Sequence, residues 1–213
     1  MIRILIVDDH PIVRKGLRST LAEYSDMEVV DEAQNGTEAL TKVRAIEPNI
    51  VLLDLSMPEM SGFEILKQLH IEMPGTKILI LSTYPEKQYA VRCLRNGAVG
   101  YLTKESASEE LVTAIRKAAK GQKYVSASLA ELLASEIQID RPTMPHENLS
   151  DREFEVLCLL GRGNTVSEIA EMLSLALPTI NTYRSRILQK MNMETTAQLM
   201  HYVLENKLID KVD

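Results

Sequence analysis

Cysteine and histidine are scarce in this chain of 213 residues, which has two cysteines and four histidines. Cys93 and Cys158 lie in runs with helical periodicity, they form no CxxC pair, and no histidines cluster near them. A metal or redox site built on these thiols is therefore disfavoured, and we expect two inert, partly buried side chains.

Long hydrophobic runs are also missing. No apolar stretch approaches the roughly 18 residues that a membrane-spanning helix needs, so we expect no membrane partner. The first residues do not have a signal-peptide layout, because acids arrive already at Asp8 and Asp9. With neither feature, we expect a cytoplasmic protein. The 45% hydrophobic residues, 25% charged residues and net charge of -6 are typical of an ordinary globular protein, long enough for one large domain or two small ones.

The first part of the chain alternates short apolar runs with amphipathic stretches, which predicts an α/β domain with a parallel sheet covered by helices on both faces. Several runs are apolar without alternation, as is typical of strands buried on both sides. The predicted strands are Ile2–Val7, Glu28–Ala33, Ile50–Leu53, Ile78–Leu81 and Val99–Leu102. Two helix starts carry the S-x-x-E capping box, at Ser61 to Glu64 and at Ser106 to Glu109.

The remainder of the chain shows helical patterns alone and is divided by QIDRPTMPHEN, a segment that contains two prolines. We therefore predict a first domain over residues 1–123, a helical extension and linker over 124–147, and a small all-helical domain over 148–213. Capping boxes that begin at Ser150 and Thr165 mark two helix starts in the last domain.

Polar side chains follow the predicted strands at their carboxyl ends, where ligands bind to open parallel sheets. They are Asp8 and Asp9 after the first strand, Asp54 after the third, Ser82 at the end of the fourth and Lys104 after the fifth. Each alone could be a helix cap or a solvated loop charge, and an N-cap role is plausible for one of the first two acids. Together they indicate a site.

Clustered carboxylates repel one another, so each is driven towards protonation unless a cation compensates it. A hard divalent ion such as Mg²⁺ takes one or two carboxylates together with phosphate oxygens and water. A carboxylate in such a site can attack phosphorus, because phosphoryl transfer depends on positioning and on charge neutralisation. The residues therefore predict a magnesium site in which an aspartate receives a phosphoryl group, with Lys104 as a second positive charge and Ser82 as a hydrogen-bond donor.

Residues 1 to about 122 resemble the receiver domain of bacterial two-component response regulators. The matching motifs are VDDH at 7–10, LLDLSMPEMSG at 52–62, LSTY at 81–84 and GYLTK at 100–104. The resemblance implies a flavodoxin-like, doubly wound sheet of five parallel strands, with Asp54 as the phosphoacceptor for a sensor histidine kinase. It also implies that Ser82 and Tyr101 are switch residues, the hydroxyl moving towards the phosphoryl group and the ring turning inward.

The same resemblance implies roles for the residues around the phosphoacceptor. Asp9 and Asp54 would bind Mg²⁺ together with the backbone carbonyl of Ser56. Asp8 would assist in holding the ion, and Lys104 would pair with the phosphoryl group.

The helical domain contains two predicted helices, VSEIAEMLS and LPTINTYRSRILQKMNM, joined by a short turn as in a helix-turn-helix. Residues 149 to about 206 resemble the LuxR-type DNA-binding domain through LSDREFEVLCLLGRG, EIAEMLSL and TINTYRSRIL, and the whole chain resembles the NarL/FixJ class of response regulators. The resemblance implies a regulator that dimerises on phosphorylation and binds promoter DNA. The last stretch, TTAQLMHYVLENKLI, fits either a helix that pairs two such domains or a plain core helix.

The second of these helices has two different faces. Ile180, Tyr183, Ile187 and Met191 share one face, which we expect to pack on the scaffold. We expect the opposite face to enter a DNA groove, although a solvated surface is the commoner fate of a polar helix face. The candidate DNA contacts are Asn181, Thr182, Arg184, Ser185, Arg186, Gln189 and Lys190.

Charge and turn residues put limits on the DNA-binding prediction. From His146 onward there are seven basic and ten acidic residues, whereas a DNA-binding domain is usually basic. The range 178–193 nevertheless carries three bases and no acid, so we expect weak non-specific binding and a need for dimerisation. Ser174 stands where the family usually has glycine, and Ala176 stands where it usually has a serine cap.

Two other functions compete with that of a phosphorylation-controlled transcription factor. An aspartate-nucleophile phosphatase of the haloacid dehalogenase type has an acid two residues after its nucleophile, where this chain has Ser56, so we do not expect an enzyme. A receiver that serves only as a dimerisation module, without phosphorylation, stays open. The complete set of Asp8, Asp9, Asp54 and Lys104 argues against it.

Overall fold

The computed structural model describes residues 1–58, 60–106, 108–137 and 144–209. The chain forms two compact units, Met1–Gln138 and Ile139–Asp213. The region predicted as extension and linker, 124–147, contains a helix of the first unit and most of a short 3₁₀ helix, Pro145–Asn148, of the second. Residues 138–143 lie outside the described part, and the domain limits at 123 and 147 stay a prediction.

The first unit is built on one sheet of five parallel strands in the order β2-β1-β3-β4-β5. The strands are β1 Ile2–Val7, β2 Met27–Ala33, β3 Ile50–Leu53, β4 Lys77–Ser82 and β5 Gly100–Thr103. They confirm the five predicted strands and the flavodoxin-like order, with ends shifted by one residue in three of them. The strand order reverses between β1 and β3, which is where such sheets form their ligand sites.

Helices cover both faces of this sheet, which is why its apolar runs do not alternate. The helices are α1 Pro11–Leu21, α2 Gly36–Ile46, α3 Gly62–Glu72, α4 Glu86–Arg95 and α5 Ser108–Ala119. Leu21 of α1 and Ile115 of α5 join Leu52 in the core of one face, and the neighbouring Val51 is buried on the other. The capping box predicted at Ser61 begins α3, whereas the one at Ser106 adjoins a residue outside the described part.

A sixth helix, α6 Ala127–Ile137, completes the first unit and packs against α4. The chain reaches it through Tyr124, whose N–H donates to the carbonyl of Val99 over 2.7 Å. A Cβ atom on Gly100 would lie 2.9 Å from the Cβ of Tyr124, so this close approach favours glycine. Leu129 of this helix is fully buried.

The second unit is helical. Its helices are α7 Asp151–Gly161, α8 Val166–Met172, α9 Leu177–Met191 and α10 Thr196–Glu205. Capping boxes begin α7 and α8 as predicted, and a third box, not predicted, begins α10 at Thr195 and Gln198. Ile180 and Ile187 are fully buried, which confirms the inner face predicted for α9.

The two cysteines lie in different units, Cys93 in α4 and Cys158 in α7, and both are fully buried. Their burial exceeds the partial burial expected from the sequence. Across the described ranges, no helix has both the length and the apolar character that spanning a bilayer demands.

Candidate functional site

The carboxyl edge of the sheet brings together residues that follow β1, β3 and β5. Asp8 and Asp54 come directly after the paired ends of β1 and β3, and both are at most 2% exposed. Lys104 follows β5, and its Nζ lies 2.7 Å from Oδ2 of Asp8 and 2.7 Å from Oδ2 of Asp54. One ammonium group therefore compensates two buried carboxylates, each of which would be costly alone.

The environment of Asp54 sets its protonation. Burial raises the pKa of the Asp54 carboxyl group to about 6, although the Lys104 ammonium lowers it. Asp8 adds to the rise, and the N–H of Ser56, which donates to Asp54 Oδ1 over 3.1 Å, opposes it. Burial alone would lower the pKa of Lys104, but Asp54 and Asp8 outweigh burial and raise it. At neutral pH Asp54 is therefore mostly ionised beside a protonated lysine.

Asp9 and His10 form a group of possible metal ligands with Asp8 and Asp54, since one ligand atom of each lies within 4.8 Å of the others. The His10 N–H donates to Asp8 Oδ1 over 2.8 Å, and His10 Nδ1 lies 2.7 Å from Asp9 Oδ1. Despite this short distance, the buried Asp9 oxygen accepts no hydrogen bond from His10 or from any other described residue, so it has a lone pair available for a cation. A carboxylate-rich set of this kind fits a hard divalent ion.

His10 was not among the predicted ligands. Its side chain is 62% exposed, and its position directly after the two acids was the only signal in the sequence. The predicted backbone ligand at Ser56 stays a prediction, since the contact between Ser56 and Asp54 is made by the Ser56 N–H and not by its carbonyl.

Ser82 and Tyr101 are both completely buried. The Tyr101 hydroxyl donates to the carbonyl of Tyr84 over 2.7 Å, and the N–H of Tyr84 donates to Ser82 Oγ over 3.2 Å. Burial raises the pKa of Tyr101 well above its usual value, which keeps the hydroxyl a neutral donor. Both predicted switch residues thus hold the segment between β4 and α4, and the Tyr101 ring points inward.

Helix α4 links this segment to α6. Its first residue, Glu86, accepts a hydrogen bond of 2.7 Å from Ser126 Oγ and another from the Ser128 hydroxyl. Ser126 Oγ also accepts from the N–H of Leu129 over 3.0 Å and so caps the start of α6. A path of hydrogen bonds and covalent bonds therefore leads from Ser82 to the last helix of the first unit.

The predicted DNA contacts lie along α9 with unequal exposure. The exposed ones are Thr182, Ser185, Arg186, Gln189 and Lys190, and the partly buried ones are Asn181 and Arg184. The Lys190 ammonium lies 2.6 Å from Oε2 of Glu153 in α7, so its charge is paired within the unit. Nε of Arg184 is buried and finds no hydrogen-bond partner among the described residues. The most accessible face is therefore narrower than the sequence predicted.

The turn between α8 and α9 contains Ser174 with a φ of 51°, in the left-handed region that favours glycine. At the N-cap of α9, Ala176 makes no side-chain hydrogen bond, and a proline occupies the first turn. Both unusual positions in the sequence therefore lie at the entry to α9.

Two family comparisons cover most of the chain. Residues 4–116 match the response regulator receiver domain, and residues 147–203 match the bacterial regulatory proteins of the luxR family. The chain belongs to the NarL/FixJ class of response regulators. This regulator therefore joins a receiver to a LuxR-type DNA-binding domain and acts in the control of transcription.

Named relatives extend over nearly the whole regulator. The oxygen regulatory protein NreC of Staphylococcus carnosus is 37% identical over an alignment of 215 positions, which covers 98% of this chain and 99% of that protein. The response regulator UvrY of Escherichia coli O6:H1 is 35% identical over 209 residues, which are 98% of this chain and 96% of that protein. A solved structure of RcsB from Salmonella enterica serovar Typhimurium, bound to promoter rprA in the presence of the phosphomimetic BeF3-, is also similar. The match has a TM-score of 0.65 and 26% sequence identity, and it covers 96% of this chain and 99% of that one.

Family membership supports a magnesium site and weighs against an enzyme. Receiver domains typically bind Mg²⁺ at a cluster of aspartates, and this regulator has such a cluster in Asp8, Asp9 and Asp54. Proteins that combine the two matched domains are DNA-binding transcription regulators and not typically enzymes, which weighs against the phosphatase alternative.

Proposed function

We propose that the regulator is switched on when Asp54 accepts a phosphoryl group from a sensor histidine kinase, and that the phosphorylated form dimerises and binds promoter DNA. The observation that carries this proposal is the buried Asp54 carboxylate with Lys104 at 2.7 Å. A carboxylate with a pKa of about 6 is ionised at neutral pH, as a nucleophile must be. A cation on its flank can neutralise the phosphoryl group that it receives.

In the proposed reaction, a phosphoryl group passes from a histidine of the kinase to the Asp54 carboxylate. An Asp54 oxygen attacks phosphorus, a P–O bond forms, and the P–N bond to the kinase imidazole breaks with its electron pair left on nitrogen. Mg²⁺ would be held by Asp8, Asp9, Asp54 and the carbonyl of Ser56, and it supplies positive charge to the phosphoryl oxygens when bound. The Lys104 ammonium, now shared between two carboxylates, would pair with a phosphoryl oxygen.

Ser82 and Tyr101 would pass the signal to the surface of the receiver. A Ser82 hydroxyl that turns towards the phosphoryl group would draw Tyr84 with it, because the Tyr84 N–H donates to that hydroxyl. Tyr101 holds the same residue through its carbonyl. The movement would reach α4 and then α6 through Glu86, since the hydroxyls of Ser126, which caps α6, and of Ser128, in its first turn, donate to this residue. A switch of this type needs two arrangements of one element, and we assign that role to the segment between β4 and α4.

The exposed face of α9 would contact base edges and phosphates. Thr182, Ser185, Arg186 and Gln189 are exposed on it, so we assign them direct contacts. Asn181, Arg184 and Lys190 would contribute only after small side-chain movements, because they are partly buried or paired. Two linked half-site contacts raise the effective affinity of a domain that is net acidic, which is why we propose a homodimer on DNA.

The remaining alternative is a receiver that dimerises and controls transcription without phosphorylation. The two functions differ in whether Asp54 is needed. An unphosphorylated module would keep its affinity for DNA when Asp54 is replaced and would not respond to a phosphoryl mimic.

The test is operator binding and molecular mass with and without beryllofluoride, on duplexes selected from a random library by the wild-type regulator. We expect the mimic to increase mass and DNA affinity together in the wild type and to change neither in Asp54→Ala. A wild-type protein that binds the mimic, stays monomeric and gains no affinity would refute the coupling between the domains.

A further inference from the structure

Arg14 of α1 lies behind the acidic loop and contacts its backbone. Its Nη1 donates to the carbonyl of Asp8 over 2.7 Å, and its Nε donates to Oε2 of Glu32 over 3.2 Å. The side chain is only 13% exposed, so this arrangement is part of the packed unit. From this geometry we infer that Arg14 is a positioning residue for the metal site, which sets the peptide that joins Asp8 to Asp9. The inference rests on the proposed magnesium site.

The peptide between the two acids is the element that Arg14 holds. The group from the Asp8 carbonyl to the Asp9 N–H is planar, so fixing the carbonyl fixes the direction in which Asp9 leaves the strand. The carboxylate of Asp8 has its own contacts with Lys104 and with the N–H of His10. The buried Asp9 oxygen lies 2.7 Å from Nδ1 of the exposed His10 side chain but accepts no hydrogen bond from the described residues, so its placement depends largely on the backbone.

Glu32 holds the guanidinium in place. It lies on β2 beside β1, and it pairs with both Arg14 and Arg18 of α1. Arg14 therefore bridges a strand, a helix and the acidic loop, and its planar fork can make both bonds at once. A lysine at this position has one nitrogen and cannot reproduce that fork.

The positional role of Arg14 and its positive charge predict opposite effects on metal affinity. A cation near a cation site repels the ion, so Coulomb's law alone predicts that removing the charge tightens metal binding. Glu32 offsets that charge at 3.2 Å, which weakens the repulsion. Residues that orient metal ligands without touching the metal typically change affinity by about 10–100-fold when they are replaced. The loss of positioning should therefore outweigh the loss of repulsion, and replacing Arg14 should weaken metal binding.

Three replacements in the full-length chain separate these effects. Arg14→Gln removes charge and fork, Arg14→Lys keeps the charge, and Arg18→Gln is the matched control, because Arg18 pairs with the same glutamate. Within the described residues, the side-chain hydrogen bonds of Arg18 are with Glu32 and the carbonyl of Val29, and none is with Asp8. The probe is Mn²⁺, whose free concentration is read by electron paramagnetic resonance and which is competed with Mg²⁺. Circular dichroism establishes a temperature at which each variant is folded.

We expect Arg14→Gln and Arg14→Lys to weaken Mn²⁺ and Mg²⁺ binding about tenfold, while Arg18→Gln stays within about twofold of the wild type. A merely structural role would lower the melting temperature and leave the dissociation constant of the folded protein unchanged. If Arg14→Gln does not fold, Arg14→Lys decides by the same criterion.

Three results would overturn the inference. Unchanged or tighter binding in the Arg14 variants, with binding lost in Asp9→Ala, would show that the site exists and that Arg14 does not position it. An equal loss in Arg18→Gln would point to a general effect on α1. Unchanged binding in Asp9→Ala would mean that the proposed magnesium site is itself wrong, and the inference would fall with it.

Discussion

Lys104 Nζ donates a hydrogen bond of 2.7 Å to Oδ2 of Asp54, although the two residues are 50 positions apart. The same ammonium is equally close to Asp8. The pair lies where β3 and β5 end, so the topology of the sheet and not sequence proximity creates it. Removing the Lys104 ammonium leaves two uncompensated carboxylates at a buried edge of the sheet.

Lys104→Met should therefore lower the free energy of unfolding of the metal-free protein by roughly 3 kcal/mol, the cost of an uncompensated buried charge. Mg²⁺ should recover part of this loss, because it would supply the missing positive charge. Lys42→Met is the control. Lys42 also pairs with two carboxylates, at 2.9 and 2.8 Å, but its side chain is 27% exposed and both partners are more exposed still, so the expected loss is at most about 1 kcal/mol. Urea unfolding with chelator and with Mg²⁺ measures both, and equal losses would contradict the burial argument.

The raised pKa of Asp54 makes stability depend on pH in a defined direction. The carboxyl group titrates near 3.8 when unfolded and at about 6 when folded, so the native state binds the proton more tightly. The stability contributed by this group is therefore lost as the pH rises from about 4 to 6, and it stays lost above that range. Asp54→Asn should stabilise the metal-free protein at pH 7 by up to about 3 kcal/mol and have little effect below pH 4. A gain of the same size at both pH values would show that burial of charge is not the cause.

Ser174 adopts a φ of 51° at the turn of the helix-turn-helix. Ser174→Gly should stabilise the second unit by about 1 kcal/mol, because glycine reaches this region without a steric penalty. Ser185→Gly inside α9 should destabilise by a similar amount, since glycine is a poor helix former. Thermal unfolding of both variants gives the signs, and a loss of stability in Ser174→Gly would contradict the strain at this turn.

The sequence predicted the strands and the acidic edge because both follow local patterns. Unalternating apolar runs such as Ile50–Leu53 specify buried strands, and the acids that follow them share an edge by topology alone. Contacts that depend on packing could not be predicted in this way. Arg14 reaches Glu32 across 18 positions, and Lys190 reaches Glu153 across 37, so their partners are set by how helices and strands pack.

The exposed face of α9 should determine operator affinity. Thr182→Ala or Arg186→Ala should each weaken binding by about 1–3 kcal/mol, the usual value of a polar contact to a base edge. Both residues lie away from the buried Ile180 and Ile187, so the fold should be unaffected. Lys207→Gln removes an exposed positive charge of the same unit outside α9 and should have a smaller effect. Wild-type affinity in both α9 variants would place the DNA contacts elsewhere.

The most direct test is the intact mass of the regulator after incubation with acetyl phosphate and Mg²⁺. We predict that the wild-type chain gains the mass of one phosphoryl group, that chelation of Mg²⁺ prevents the gain, and that Asp54→Asn shows none under the same conditions. An adduct that persists in Asp54→Asn, or a wild-type chain that gains no mass, would contradict the assignment of Asp54 as the phosphoacceptor.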